Sequence, residues 1–388
     1  MSNWAWLQEP HLQHLLAALG DARVAGGAVR NALLGAAVTE VDVATSLSPD
    51  EVMKRAAAAG YSVHPTGLEH GTVTVAREGV AFEVTTLRHD VETDGRRAKV
   101  AFTDDWEADA RRRDFTMNAL YCSASGEVFD PVSGMDDLLS RRVRFVGDAA
   151  QRIAEDYLRI LRFFRFHAQY GQGAPDAAGL AACGALKAGL KQLSAERVRQ
   201  ELMKLLVAPG AVAAVEAMAS AGVLGEVLPG ADVVVFARMA AIDAREGFQP
   251  DAVLRLAALA PQMDVKEALR LSNAESARLD GLTCAPVLSP TMDDAELRRA
   301  RYVLGDLFAP AVRLCWARSD AEGWHAAYAF ADTPVQVFAL KGADLLALGF
   351  KPGPDVGRVL RSLEEIWIAS DFSASKEALL QKGAKWLN

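Results

Sequence analysis

Cysteine is scarce and scattered. Cys122, Cys183, Cys284 and Cys315 are the only four among 388 residues, with no Cys-x-x-Cys pair and no histidine at ligand spacing. That pattern excludes a disulfide framework and a zinc site, leaving buried or incidental thiols in a reducing compartment. Aromatic residues are only 7%, whereas hydrophobic residues reach 51%, much of it alanine, which favours helix over sheet for most of the length. No apolar run approaches the ~20 residues needed to cross a bilayer, and the first twenty residues lack a basic start followed by an apolar core. The expectation is a soluble, cytoplasmic protein of two or more domains.

Surplus basic charge is also missing: the net charge is −8. Its distribution is uneven. Residues 1–140 carry 12 basic and 21 acidic side chains, residues 141–204 carry 12 and 6, and residues 205–388 carry 18 and 23. A basic island between acidic flanks is what a polyanion needs. Surplus arginine on a solvated helix face gives the same count, so charge alone decides nothing.

Up to residue 140 the chain reads as strands mixed with helices. A helix is expected over Ala28–Leu34, closed by Gly35, and a strand over Glu40–Ala44. Ser48-Pro49-Asp50-Glu51 reads as a capping box opening a helix that ends before Gly60. Thr72–Ala76 and Val80–Leu87 form a hairpin about Glu78-Gly79, and Ala119–Cys122 and Val128–Asp130 another about Ser125-Gly126. The polar stretch Asp90–Asp109 is expected as a mobile loop. From Asp148 the strand signals stop. Ile153, Tyr157, Ile160, Leu161 and Phe164 fit one face of a single long helix ending near Gly171. Ser194 caps the next, with Val198, Leu202, Leu205 and Leu206 as its buried stripe. Helices broken at Pro209, Pro229, Pro250, Pro261 and Pro310 follow. A glycine-proline corner, Gly349–Pro354, sits between two of them.

Three constellations carry chemistry. Gly26-Gly27-Ala28-Val29-Arg30-Asn31 opens a short helix, and Glu40-Val41-Asp42 follows. Glycines let backbone approach a phosphate, and residues two apart on a strand share a face. Glu40 and Asp42 together with a triphosphate would then cage Mg²⁺; a tight turn and a solvated acidic strand edge fit the same residues. In Arg111-Arg112-Arg113-Asp114-Phe115-Thr116-Met117-Asn118, Asp114 and Asn118 suit a ribose and Arg113 a phosphate, or else the segment is a capped helix start with surface charge. In Glu155-Asp156-Tyr157-Leu158-Arg159, Asp156 and Arg159 are three apart, with Arg162 and Arg165 continuing the row. One accepts and one donates, which could match a base edge; an exposed ion pair reads the same way.

Taken in order, GGAVRNALLG, EVDVAT, TGLEHGTVTV, FEVTTLR, RRDFTMNALY, DPVSGMDDL, EDYLRILRFFRF and LSAERVRQELMKLL closely resemble the class II tRNA nucleotidyltransferase and bacterial poly(A) polymerase family. The match runs from Gly26 to about Leu206, and LKGADLLALGFKPGPDVGRVL resembles the family's C-terminal region. The resemblance implies an α+β fold: a small mixed-sheet nucleotidyltransferase head over 1–140, then an all-α neck over 141–206 and body and tail over 207–388. It implies an enzyme that binds the 3′ end and acceptor arm of tRNA and uses CTP and ATP to build or repair the CCA end. No membrane and no stable protein partner are implied. Carried over by position, Glu40 and Asp42 are the catalytic Mg²⁺ ligands. Gly27 and Arg30 grip the triphosphate, Arg113, Asp114 and Asn118 lie near sugar and phosphates, and Asp156 with Arg159 reads the base, with Arg162 and Arg165 as further nucleotide contacts. The Thr93–Arg97 stretch resembles the flexible loop of full CCA-adding members. Two positions depart from the pattern: Glu40 stands for the usual aspartate, and Asn31 for the aspartate after the arginine. A poly(A) polymerase, a partial CC- or A-adding enzyme, or a catalytically weakened RNA-binding member are the alternatives.

Overall fold

The computed structural model describes residues 4–94, 97–260 and 264–387. The chain divides into two compact units, Met1–Ala231 with Met263–Arg270, and Asp232–Gln262 with Leu271–Asn388.

The first unit begins with α1 (Pro10–Leu19), β1 (Ala22–Ala25), α2 (Gly27–Leu33), β2 (Asp42–Thr45), α3 (Pro49–Ala58), β3 (Ser62–Gly67), β4 (Thr72–Arg77) and β5 (Val80–Thr86). It continues with β6 (Arg88–Asp94), β7 (Arg97–Phe102), α4 (Trp106–Arg111), β8 (Tyr121–Cys122) and β9 (Val128–Phe129). Seven strands form one mixed sheet in the order β3-β4-β5-β2-β1-β8-β9. The β2–β5 pair is parallel and the others antiparallel. The strand period of two splits the side chains between faces. Val24 and Val43 alternate with Ala25 and Ala44, and these two alanines share a buried cluster with Leu87, Ala110, Ala119, Tyr121 and Val146. Both hairpins form as expected, with Glu78 (φ 51°) and Gly79 (φ 85°) at the first turn.

Several local expectations change. Strand β2 starts at Asp42, so Glu40 lies in the irregular segment before it and not in the strand. Ser48 accepts from the Glu51 N–H, but the Glu51 carboxylate turns to Arg55 and Lys54 instead of closing the box. The stretch after Leu87 is no loop: β6 and β7 pair as a two-stranded antiparallel ribbon. Its tip, Gly95-Arg96 of the loop expectation, lies outside the described residues.

Helices complete this unit: α5 (Gly134–Leu139), α6 (Ala149–Glu155), α7 (Leu158–Tyr170), α8 (Ala177–Leu186), α9 (Ala195–Leu206), α10 (Ala211–Ser220) and α11 (Val223–Val227). The single long helix expected from 153 onward is broken. Asp156 is extended (φ −154°, ψ 106°) and closes α6, then its carboxylate accepts the Leu158 N–H at 3.1 Å to open α7. Aspartate competes for backbone donors this way and so breaks a helix that apolar periodicity predicts. The Tyr157 ring fills the space beside Gly189, where a Cβ would stand 2.1 Å from it. The apolar stripe on α9 is buried as expected, joined by Glu201.

In the second unit lie α12 (Val233–Glu246), α13 (Ala252–Leu259), and, after α14 (Val265–Ala268) of the first unit, α15 (Asn273–Thr283), α16 (Asp294–Leu304), α17 (Phe308–Ser319), α18 (Trp324–Ala329), α19 (Gly342–Ala347), α20 (Pro354–Ala369) and α21 (Lys376–Ala384). Pro310 breaks nothing: it sits in the first turn of α17, where its missing N–H is not needed. Buried Asp243 holds Arg255 at 3.0 Å and also Arg313. Leu340, Leu345, Leu363, Trp367 and Leu379 pack α19, α20 and α21 together, and Gly349–Pro354 turns between α19 and α20. No helix among the described residues is long and apolar enough to cross a membrane.

Candidate active site

One polar cleft of about 670 Å³ in the first unit collects most of the chemistry-bearing residues. Gly26, Gly27 and Arg30 come from the β1–α2 turn, Glu40 from the irregular segment before β2 and Asp42 from the first residue of β2. Arg113, Asp114 and Asn118 follow α4, and Asp156, Arg159 and Arg162 come from the α6–α7 break and the helix after it. Arg165 does not line this cleft. It pairs with Glu201 and lies over the Phe166 ring.

At the turn, Gly26 adopts φ 66°, ψ −114°, and a Cβ there would stand 3.2 Å from the Arg113 guanidinium. Both the backbone angle and the neighbour demand glycine. Buried Arg30 donates to Asn118 Oδ1 at 2.6 Å, to Asn31 Oδ1 at 2.9 Å and to the Tyr170 hydroxyl at 2.7 Å, with its guanidinium over the Tyr170 ring. Burial lowers its pKa, yet an arginine so far above neutrality stays charged. Asn118 is therefore a bridge, since its amide also donates to Asp114 at 3.2 Å. Asn31, where the family's aspartate is expected, still serves Arg30 as an acceptor.

Asp114 is held on all sides. It accepts the Phe115 N–H at 2.9 Å and Arg162 Nε at 2.8 Å. Burial pushes its pKa up, but the Arg162 guanidinium and these hydrogen bonds prevail and hold it below the ordinary carboxylate range. Phe115 packs against Phe145 and Phe166 at 5.0 Å each, which locks this segment against α7. Asp109 fixes Arg113 at 3.1 Å and Arg112 at 2.8 Å from a fully buried carboxylate that also accepts the Tyr121 hydroxyl at 2.7 Å. Burial would raise the Asp109 pKa; the two guanidinium groups more than offset it.

Asp156 and Arg159 line the same cleft, and the Arg159 N–H donates to the Asp156 carbonyl at 3.0 Å, but their side chains are not partners. Asp156 accepts Arg197 Nη2 at 2.7 Å, while Arg159 donates to the Arg152 carbonyl at 2.6 Å and to Glu155. The helix break separates them, so the exposed i, i+3 ion pair does not exist. Arg152 in turn grips the Arg112 and Arg113 carbonyls, tying α6 to the segment after α4.

Asp42 stands next to Glu83 in the parallel β2–β5 register. Burial raises the Asp42 pKa, and repulsion from Glu83 and Glu40 raises it further. Among the described residues no lysine or arginine forms an ion pair with any of these three carboxylates. The Arg113 guanidinium offsets this only in part, and excess negative charge of this kind fits a divalent cation. No three His, Cys, Asp or Glu side chains among the described residues close around one point.

Sequence reasoning missed Glu83, Asp109, Arg112 and Arg197. The Asp109–Arg113 spacing of four was a legible signal. Glu83 and Arg197 carried none, because only strand register and helix packing bring them to the cleft.

Residues 22–144 match the family described as Poly A polymerase head domain, and residues 176–234 match the probable RNA and SrmB-binding site of polymerase A. The chain is 34% identical to the mitochondrial CCA tRNA nucleotidyltransferase 1 of Mus musculus, over 93% of this chain and 86% of that protein. Its fold is similar to that of the Bacillus stearothermophilus CCA-adding enzyme in complex with CTP (TM-score 0.76, 27% identity, 97% and 98% of the chains). The Thermotoga maritima CCA-adding enzyme complexed with tRNA shares the fold at TM-score 0.69 and 20% identity, over 98% of both chains.

Proposed function

The chain belongs to the class II tRNA nucleotidyltransferase and poly(A) polymerase family, and from that membership we propose that it adds or repairs the 3′-terminal CCA of tRNA, using CTP and ATP and releasing pyrophosphate. The observation that carries this reading is the single cleft in which Glu40 and Asp42, a set of fixed arginines, and Asp156 with Arg159 come together.

Arg30 and Arg113 bind the triphosphate, and their hydrogen bonds to Asn118, Tyr170, Asp109 and Tyr121 hold them oriented before substrate arrives. Preorganised charge of this kind costs little reorganisation during the reaction. Asp156 and Arg159 select the base. Cytosine and adenine both present an amine beside a ring nitrogen acceptor, whereas uracil and guanine present a carbonyl beside an N–H. A carboxylate that accepts and a guanidinium that donates fit the first pair and oppose the second. Arg159 keeps Nε and Nη2 without a partner among the described residues, so donors remain for that edge. Glu40 and Asp42 would hold Mg²⁺ with the triphosphate, and the ion would supply charge neutralisation and a more acidic attacking hydroxyl. The RNA 3′ oxygen bonds to the α-phosphorus as the bond to the bridging oxygen breaks, and the hydroxyl proton leaves to solvent. Glutamate at position 40 keeps an oxygen ligand on a side chain one methylene longer. We place the activity in the cytosol; the word mitochondrial belongs to the names of the mouse, human and zebrafish relatives.

The test uses tRNA transcripts lacking CCA, Mg²⁺, and labelled CTP and ATP singly and together. Addition of CC with CTP, and of CCA only with both, supports the reading; a long adenylate tail from ATP alone, or no addition, overturns it. Asp42→Ala is expected to abolish incorporation while the far-ultraviolet circular dichroism is unchanged.

A further inference from the structure

The carboxylates Glu40 and Asp42 are shared by two cavities. One is the arginine-lined cleft. The other, about 550 Å³, lies where β2 begins and is walled by Trp6, Leu12 and Phe82. Its remaining charged lining is Glu9 and Glu83, and it contains no lysine or arginine. Trp6 is stacked on Trp4 at 5.7 Å, and its indole N–H is buried with no acceptor among the described residues. Trp6 and Leu12 precede residue 22, where the matched head region begins.

A nucleotidyl transfer joins two molecules at one phosphorus, with the attacking and departing oxygens on opposite sides. Two substrate sites must therefore meet at the same carboxylates. The arginine cleft suits a triphosphate. A cavity with acidic lining and no cation repels a triphosphate and suits a neutral group with hydroxyls to donate, flanked by an aromatic ring. We propose that the Trp6 cavity receives the 3′-terminal nucleoside of the acceptor RNA, its base against the Trp6 ring and its ribose hydroxyls towards the carboxylates. This rests on the nucleotidyl-transfer reading above.

The experiment measures ATP incorporation onto a tRNA transcript ending in CC, with transcript concentration varied, for the parent, Trp6→Ala, Trp6→Phe and Ala81→Trp. Trp6→Ala is expected to raise the transcript KM about tenfold, the scale of removing one base-stacking ring, and Trp6→Phe by less than about threefold. Ala81→Trp, at an exposed position of the lining, obstructs the cavity without removing core and is expected to raise the same KM. The ATP KM, and CTP binding measured by equilibrium dialysis without RNA, stay unchanged in all three. An active parent with unaltered transcript KM in both Trp6→Ala and Ala81→Trp overturns the assignment of this cavity; an equal rise in transcript KM and ATP KM does so too. A parent that incorporates nothing overturns the nucleotidyl-transfer reading itself.

Discussion

Replacing Asp114 by asparagine keeps the shape of the side chain and removes its charge. The carboxylate accepts from Phe115 N–H, Asn118 and Arg162, and its side chain is 11% exposed. An asparagine oxygen turned to Phe115 and Asn118 keeps two neutral bonds, but its NH₂ then meets the Arg162 guanidinium, donor against donor. The loss is the pair of charge-assisted hydrogen bonds from Arg162 Nε and Nη2, about 2–3 kcal/mol, with Arg162 left to Glu201 at 3.6 Å. For a unit of this size roughly 2–3 kcal/mol lowers Tm by about 4–12 °C. Thermal melts of parent and Asp114→Asn read this directly, with exposed Asp136→Asn as a control expected within about 0.5 kcal/mol. Acid adds a second check. The folded Asp114 pKa lies below its unfolded value, so its stabilisation is present above pH ~4 and is lost as pH falls through the folded pKa. The gap between parent and variant should therefore narrow only below about pH 4. Equal melting temperatures at pH 7, or a gap that persists unchanged at pH 2.5, would refute the ion-pair account.

Other outcomes follow from the same geometry. Asp42 has a raised folded pKa, so its ionisation costs stability once pH rises through that pKa; metal-free Asp42→Asn should melt no lower than the parent at pH 7, and a clear drop counts against the repulsion. Arg159→Ala should increase misincorporation of UTP and GTP far more than it raises the KM for CTP, as read by competition assays; unchanged fidelity disposes of base reading by this side chain. Asp243→Ala removes the carboxylate that two buried guanidinium groups share and should cost about 3–5 kcal/mol in urea unfolding of the second unit, and a loss under 1 kcal/mol is inconsistent with the buried triad.

The sequence by itself determined much of this protein. Alternating apolar residues and glycine turns fixed both hairpins of the head, the Ser48 cap fixed the start of α3, and 3.6-residue periodicity fixed the buried stripe of α9, because these signals act within a few residues of one another. Motif order located Gly27, Arg30, Asp42, Arg113, Asp114 and Asp156, which do line one cleft. Tertiary structure decided their partners. The Asp156 carboxylate faces Arg197 across the helices instead of Arg159, since a half-buried carboxylate takes the donor that packing supplies. Arg165 turns to Glu201, and Glu83 reaches Asp42 only through the parallel β2–β5 register. Those pairings join residues 36 to 41 positions apart, a separation at which local periodicity carries no information and only burial and helix or strand packing choose the contact.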